Sequence, residues 1–356
     1  MQTIVLLAVA ALPHATCLTC NQLRSPARQP RLRSPALVAS NDVLRLGDKW
    51  WLTDETERAR PISGVSRYMT VVAAVGAFCV GCVARFTSSG ALQWTATPME
   101  ATTSTAIPQS ALMVWRLLCL GGTTVLTLSR VSRSSTGVLE DLDRRGRTFR
   151  YSGIWRFQGL TGWSWLLINA YFALTSLLMA WPAAAWAPSA ASACQVLLGT
   201  ASAFALLVTL VVSFVLIPNR HAKGLSVDEY FRLQALCMHN ANVAMMAVEL
   251  WVSGLTVALC QMPLSLLFGL VYVAYHNGYR FARTRTLLYF FLNWTRPDAY
   301  RIVGVLLALF GACFGIVYGV SAHLRTRAWG APLLAAALVA IMRVRRPPAE
   351  PPARDT

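Results

Sequence analysis

Long apolar runs separated by short polar segments make up most of this chain. A membrane-spanning helix needs roughly 20 consecutive apolar residues, and eight runs approach or exceed that length. The predicted spans are residues 68–84, 110–129, 157–181, 191–217, 236–260, 263–282, 299–322 and 328–343. The pattern therefore predicts an all-α fold, a polytopic transmembrane helix bundle of about eight spans within residues 68–343.

The two ends of the chain differ from this apolar region. Residues 1–41 begin with a short apolar run and continue with an arginine- and serine-rich stretch that holds no acid. This composition is typical of a targeting presequence. Residues 42–67 form a polar N-terminal segment. Residues 344–356 form a tail rich in proline and arginine, which we expect to be disordered.

The presequence also bears on location. A signal-like start followed by a transit-like stretch resembles the bipartite presequences of algae with complex plastids, and a plain ER signal or a disordered basic tail is the alternative. We therefore expect an integral, multi-pass protein of a plastid membrane or of the ER and endomembranes.

Lysine and arginine are unevenly distributed among the connections between the spans. In membrane proteins these residues accumulate on the cytoplasmic side. The arginine-rich connections are loops 130–156, 218–235 and 280–301 and the C-terminal tail. Loops 86–109, 182–190 and 261–262 hold neither residue, and loop 323–327, with Arg325 and Arg327, is the exception to the alternation. Eight spans then place both termini on the cytoplasmic or stromal side.

Composition supports a membrane protein. Of the 356 residues, 55% are hydrophobic and only 13% are charged, whereas a soluble domain carries about a quarter charged residues. The net charge of +17 comes from basic residues in short loops between apolar runs, not from patches interleaved with exposed aromatics that nucleic-acid modules need. We therefore expect membrane lipids and no nucleic acid as partners, and the oligomeric state stays open.

The sequence gives no sign of a cofactor. The Cys-x-x-Cys pairs Cys17/Cys20 and Cys79/Cys82 lie in the presequence and in a predicted span, where small apolar filler is the favoured interpretation over a zinc site. No glycine-rich phosphate-binding loop is present in the sequence, so we expect neither a metal nor a nucleotide.

The stretch 236–251, LCMHNANVAMMAVELW, carries ionisable groups inside an apolar run. On a helix, His239, Asn242, Met246 and Glu249 share an arc of about 80° and therefore form a stripe. Intramembrane ionisable residues normally face the bundle interior and are candidates for function. Histidine and asparagine also serve as hydrogen-bonding contacts between packed helices, and an interfacial salt bridge is the alternative for Glu249. Both a functional and a structural interpretation therefore stay open.

Two hydroxyls lie one turn apart near the predicted start of the third span, at Thr161 and Ser164. By the orientation above, this end and His239 are both on the cytoplasmic side. A hydroxyl beside a neutral imidazole is the minimum for nucleophilic acyl transfer, because the base takes the hydroxyl proton during attack. Asn242 or Ser164 would donate to the oxyanion. His276 is a further candidate for contacting the substrate or the reacting groups. The structural alternative for Thr161 is that its hydroxyl bonds to its own backbone, as threonine in a membrane helix more often does.

Three motifs occur in order over roughly residues 110–325: WRFQGLTGWSWLLINAYFAL, then MHNANVAMMAVELW, then YVAYHNGYRF followed by LLYFFLNW. In their order and in the spacing from His239 to Glu249, they resemble the androgen-induced FAR/AIG-like membrane proteins, a family related to rolling-stone-like and plant multi-pass proteins. The resemblance implies a six-span core, to which this chain adds N- and C-terminal helices.

The resemblance also implies an activity. Characterised animal members of that family are threonine hydrolases that cleave fatty acid esters of hydroxy fatty acids. By the matching motifs, the nucleophile falls on Thr161 and the histidine on His239. Independently of the resemblance, the positions of Ser164, Asn242, Glu249 and His276 in the predicted spans make them candidates for substrate-binding or supporting residues. We therefore expect a lipid-ester hydrolase. A non-catalytic membrane adaptor or regulatory protein is the alternative, and a transporter with a His and Glu proton relay is a less favoured one.

Overall fold

The computed structural model of the chain describes residues 44–46, 65–88, 96–141, 146–222, 226–276, 286–292 and 299–344. The predicted presequence 1–41, most of the polar segment 42–67 and the tail beyond residue 344 lie outside the described residues.

Helices dominate the described residues. In chain order they are α1 (Val65–Ser88), α2 (Pro98–Thr102), α3 (Gln109–Ser132), α4 (Leu160–Ala180), α5 (Ala187–Val211), α6 (Ile217–Ala222), α7 (Leu233–Leu236), α8 (Asn242–Val252), α9 (Met262–Ala274), α10 (Ala299–Ala322) and α11 (Gly330–Ile341). Within the same ranges, π-helical turns join α5 to α6 and α7 to α8, at Val212–Leu216 and Cys237–Ala241.

Four of the described helices are long and apolar enough to cross a membrane: Gln109–Ser132, Leu160–Ala180, Ala187–Ala222 and Ala299–Thr326. They coincide with the predicted second, third, fourth and seventh spans. Shorter apolar helices are Val72–Ser88, Leu259–Ala274 and Gly330–Ile341, at the positions of the predicted first, sixth and eighth spans. A helical protein compatible with membrane integration is confirmed, and the count of eight spans stays a prediction.

The predicted span 236–260 has a different boundary in the structure. The helical segment that begins at Leu233 ends at Val252, and residues 253–258 are not helical before the next helical turn begins at Leu259. Local hydropathy cannot detect this end, because the segment 253–258, SGLTVA, is itself mostly apolar.

Side chains distant in sequence bind the backbone of this irregular segment. Arg325 Nη1 donates to the carbonyl oxygens of Ser253 and Leu255 at 2.7 and 2.9 Å, and its Nη2 donates to Thr256 Oγ1 at 2.7 Å. A buried backbone carbonyl needs such a partner when no helix supplies one. Arg325 is one of the two arginines in loop 323–327, the exception in the distribution of basic residues, and these bonds give it a structural role.

Three further bonds complete this connection. Gln195 Nε2 donates to the carbonyl oxygen of Thr256 at 2.8 Å, and the amide of Val257 donates to Ser321 Oγ at 3.0 Å. The amide of Gly254 donates to the carbonyl oxygen of Thr103 at 2.9 Å. The segment is therefore held by groups from α5, α10 and the residue after α2.

The chain divides into two compact units. The first comprises Met1–Arg85, Thr127–Gly159 and Leu266–Leu309, and the second comprises Phe86–Leu126, Leu160–Ser265 and Phe310–Thr356.

The first unit contains a small sheet that the all-α prediction did not include. Its strands are β1 (Leu44–Leu46), β2 (Ser135–Asp141), β3 (Gly146–Tyr151) and β4 (Thr286–Leu287), in the order β1-β3-β2-β4. β1 pairs with β3 in parallel, and β2 pairs antiparallel with β3 and β4. Most of the sheet, namely β2 and β3, lies in the basic loop 130–156, outside the apolar runs.

The helical part of the first unit is held by a small apolar cluster of Val72, Leu270, Ala299 and Val303. At the basic loop, Arg130 and Arg156 each donate to the other's main-chain carbonyl, both at 2.7 Å. Burial, together with the positive charge of Arg133, lowers the pKa of Arg156.

Helix α5 is the centre of the second unit. Most of its residues are buried, and it packs against α4, α8 and α2. It is rich in alanine, serine and glycine, small residues that let helices approach closely in membranes. At Gly199, an added Cβ would lie 3.0 Å from Val257 and 3.2 Å from Phe314.

Candidate functional site

The polar stripe contains a buried ion pair. Glu249 on α8 and Arg116 on α3 both have side chains that are 0% exposed. Arg116 Nε and Nη2 donate to Glu249 Oε1 at 3.0 and 2.7 Å. The Tyr171 hydroxyl donates to the same oxygen at 2.7 Å, and the Trp115 indole N–H donates to Oε2 at 3.0 Å. The carboxylate is therefore engaged by three side chains from α3 and α4.

The guanidinium of Arg116 reaches beyond Glu249. Its Nη1 donates to the carbonyl oxygen of Ala101 at 2.5 Å, and its Nη2 lies 3.2 Å from Ser253 Oγ. The short helix α2 is therefore tied to α3 and to the end of α8. These additional bonds help to compensate the buried charge of the guanidinium, as a buried ion pair requires.

Arg116 was not singled out from the sequence, although a signal was present. It is the only charged residue in the predicted span 110–129. An arginine inside a membrane helix requires a partner, and Glu249 is an acid inside another predicted span. Matching the two would have predicted the pair.

His239 lies in the π turn Cys237–Ala241, where the helix is locally wider. Such turns are rare in proteins, and those that occur are often at functional sites. Thr209 Oγ1 on α5 lies 2.5 Å from the main-chain carbonyl oxygen of His239 and 2.9 Å from that of Ala205. The hydroxyl of Thr209 therefore anchors the π turn to the central helix.

The imidazole of His239 lies beside Tyr230, with ring centroids 6.1 Å apart. Tyr230 packs on an apolar cluster built around Val208, Val212 and Ile217, and Leu160 packs on the same cluster. Leu160 is the first residue of α4 and directly precedes Thr161. Helix α4 also packs against the π turn that carries His239.

Thr161 is therefore at the end of the second unit where His239 also lies. Its side chain is half-buried, in the first turn of α4. Ser164, one turn further on, is 0% exposed, and its hydroxyl has no hydrogen-bond partner among the described residues.

The two asparagines of the stretch make different contacts. Asn242 is buried, its Oδ1 accepts from the amide of Val243 at 2.7 Å, and Thr209 Oγ1 lies 3.4 Å away. Asn240 binds the backbone of Arg343 through both atoms of its amide, donating at 3.1 Å and accepting at 3.3 Å. Asn240 thus holds the residues that follow α11.

His276 belongs to the first unit, whereas the other five candidate residues belong to the second. It is 0% exposed, with its ring centroid 6.0 Å from those of Tyr272 and Tyr289. The structure thus describes His276 in an aromatic cluster of its own unit.

Within the described ranges, no group of three or more His, Cys, Asp or Glu side chains is placed to hold a metal ion. No family model, curated protein or solved structure matches this chain. The resemblance to the androgen-induced FAR/AIG-like family therefore stays a prediction from the motifs. The apolar helices define the class, a helical protein compatible with membrane integration.

Proposed function

We propose that this protein is an integral membrane lipid-ester hydrolase with Thr161 as nucleophile and His239 as general base. The observation that carries the proposal is that Leu160 and Tyr230 pack on the same apolar cluster. Leu160 directly precedes Thr161, and Tyr230 lies beside the His239 ring. The π turn at His239 adds support, since such turns concentrate at functional sites.

The reaction follows the logic of an activated hydroxyl. His239 accepts the proton of Thr161 Oγ1 as that oxygen bonds to the ester carbonyl carbon. The oxyanion then collapses, the bond to the alcohol breaks, and His239 returns the proton to the departing alkoxide. Water, deprotonated by His239, next cleaves the acyl-threonine ester, which releases the fatty acid and restores Thr161.

The substrate is a lipid ester that enters from the leaflet at the His239 end. Fatty acid esters of hydroxy fatty acids are the substrate class that the motif resemblance implies. Neither a metal nor a nucleotide enters the steps above, because an imidazole and a hydroxyl carry out both proton transfers and bond exchanges.

A fluorophosphonate probe tests the nucleophile directly. Purified full-length protein in detergent should be labelled, and Thr161→Ala should lose the label. Thr175→Ala is the matched control, because Thr175 lies on the same helix and donates to the carbonyl oxygen of Tyr171 at 2.8 Å. Equal labelling of Thr161→Ala and the wild type would contradict the proposal.

A non-catalytic membrane adaptor or regulatory protein is the second candidate. The observation that favours it is the contact of Glu249 with Arg116 and of Asn242 with Thr209, since both contacts join different helices. It predicts that cells expressing wild type and Thr161→Ala have the same lipid composition. Lipidomics that finds an ester accumulating with the Thr161→Ala protein, relative to wild type, would exclude it.

We also propose the eight-span arrangement, with both termini on the cytoplasmic or stromal side of a plastid or endomembrane. Support comes from α11, which runs back along α8: an added Cβ at Gly330 would lie 2.8 Å from Trp251, while Arg343 is bonded to Asn240. The C-terminal residues therefore return to the end where His239 lies. In intact endomembrane vesicles, added protease should cleave a C-terminal tag. A tag that is cleaved only after the membrane is permeabilised would contradict this orientation.

A further inference from the structure

Ser164 carries a buried hydroxyl that the packing of the second unit does not explain. The residue is 0% exposed, and its Oγ has no hydrogen-bond partner among the described residues. Serine in a helix usually satisfies its hydroxyl by bonding to the carbonyl oxygen of the preceding turn. A buried hydroxyl without a partner destabilises the fold. Stability therefore does not explain why residue 164 is a serine, and a functional role is the remaining explanation.

Its position relative to Thr161 suggests that role. The two residues are three apart on α4, and such residues are neighbours on one helix face. Cα–Cβ bonds tilt toward the helix N terminus, so the Ser164 side chain leans toward the turn that contains Thr161.

The start of α4 adds a second kind of donor. Helix α4 begins at Leu160 and has 21 residues, so the amides of Thr161 and Gly162 lie in its first turn. First-turn amides have no acceptor within their own helix, and the aligned peptide dipoles favour negative charge there. The first-turn amides and the helix dipole would therefore stabilise a negatively charged oxygen beside Thr161.

We propose that Ser164 Oγ and the first-turn amides of α4 form the oxyanion-binding site of this hydrolase. The inference rests on the proposed function, because the oxyanion forms only when Thr161 Oγ1 bonds to the ester carbonyl carbon. The hydroxyl of Ser164 donates to the former carbonyl oxygen while that oxygen carries the charge. It releases the oxygen when the carbonyl re-forms, so Ser164 neither gains nor loses a proton overall.

Asn242 was the other candidate donor from the sequence, and its contacts favour a different role. Its Oδ1 accepts from the amide of Val243 at 2.7 Å, and Thr209 Oγ1 lies 3.4 Å from it. The side-chain amide is therefore oriented by its own helix and by α5. Ser164, by contrast, has a hydroxyl with no protein acceptor among the described residues.

The chain supplies a matched control on the same helix. Ser176 is also buried, and its hydroxyl also lacks a partner among the described residues. It lies 12 residues beyond Ser164, or about 18 Å along the helix axis. Ser164→Ala and Ser176→Ala thus remove the same group from similar surroundings, but only the first removes it next to Thr161.

The experiment measures kcat and KM for p-nitrophenyl butyrate with full-length protein in detergent micelles. Removing one oxyanion donor lowers kcat by about 100-fold or more, so we expect that loss in Ser164→Ala with little change in KM. Ser164→Cys, which preserves the volume but is a weak donor, should show a comparable loss. Ser176→Ala should keep the wild-type kcat, and neither alanine variant should lower the thermal unfolding temperature.

The outcomes separate this inference from the function on which it rests. Wild-type kcat in Ser164→Ala or Ser164→Cys, with Thr161→Ala inactive, overturns the oxyanion assignment and leaves the hydrolase proposal standing. An equal loss in Ser176→Ala also overturns the assignment. Undiminished hydrolysis by Thr161→Ala, or no hydrolysis by the wild type, overturns both.

Discussion

The guanidinium of Arg116 donates two hydrogen bonds to one carboxylate oxygen of Glu249, at 3.0 and 2.7 Å, across 133 residues of sequence. Both side chains are completely buried, so each charge depends on the other for compensation. Removing one partner from such a pair costs about 3–5 kcal/mol, because the remaining charge stays buried. The pair thus joins α3 to α8 through an interaction that neither helix can lose singly without leaving a buried charge.

We expect Arg116→Gln and Glu249→Gln each to destabilise the protein by about 3–5 kcal/mol. The double variant should be more stable than the sum of the single effects predicts, since no uncompensated charge remains. Thermal unfolding of purified protein in detergent measures all three. The exposed pair Arg220–Glu229 is the control, because exposed pairs contribute at most about 1 kcal/mol. Strictly additive effects of the two buried substitutions would refute the coupling.

Arg325 and Arg327 share one loop but differ in their contacts. Arg325 donates to two main-chain carbonyls and to Thr256, and hydrogen bonds to a charged group contribute about 1.5–3 kcal/mol each. Arg325→Ala should therefore lower the unfolding free energy by at least about 2 kcal/mol. Arg327 is exposed, so Arg327→Ala should stay within about 0.5 kcal/mol of wild type. Similar thermal stability of both variants would argue against the structural role of Arg325.

Two glycines of the second unit should respond oppositely to alanine. An added Cβ at Gly254 would lie 2.6 Å from the carbonyl oxygen of Glu100 and 3.0 Å from that of Thr103. The bond from the Gly254 amide to Thr103 limits any shift of the backbone. Gly254→Ala should therefore cost about 1–3 kcal/mol through overpacking.

Gly121 is the matched position, on helix α3, where an added Cβ meets nothing within 4 Å. Alanine is favoured over glycine in a helix by about 0.5–1 kcal/mol, so Gly121→Ala should raise the unfolding temperature slightly. A Gly254→Ala protein at least as stable as Gly121→Ala would show that α2 does not pack against residue 254 as described.

The apolar runs predicted much of the helical architecture. The helices Gln109–Ser132 and Leu160–Ala180 fall within a few residues of the predicted spans, because span length and hydropathy are properties of a continuous stretch. The end of the fifth predicted span was wrong by eight residues, from 260 to Val252. There, Arg325 and Gln195 bind carbonyls that a helix would otherwise use, and no local pattern records them.

The candidate site, too, was predicted from the sequence only in part. The periodicity of the stripe predicted an inward face. Asn242, Met246 and Glu249 are indeed buried, whereas His239 is only half-buried. Their partners were not predicted, although the lone charge of Arg116 in its span was a usable signal. The missing partner of Ser164 has no sequence signature, since serine is common in membrane helices and normally bonds locally.

By itself, the sequence determined that long apolar helices form and that a few polar groups within them are buried, because both follow from the transfer of short contiguous segments out of water. The tertiary structure alone decided which donors meet Glu249 and why residues 253–258 leave the helix. It also decided that Leu160, which precedes Thr161, packs on the same cluster as Tyr230, which lies beside the His239 ring. Those outcomes depend on hydrogen bonds and contacts of a few ångströms between residues far apart in the chain. Such short-range interactions exist only once the helices have packed.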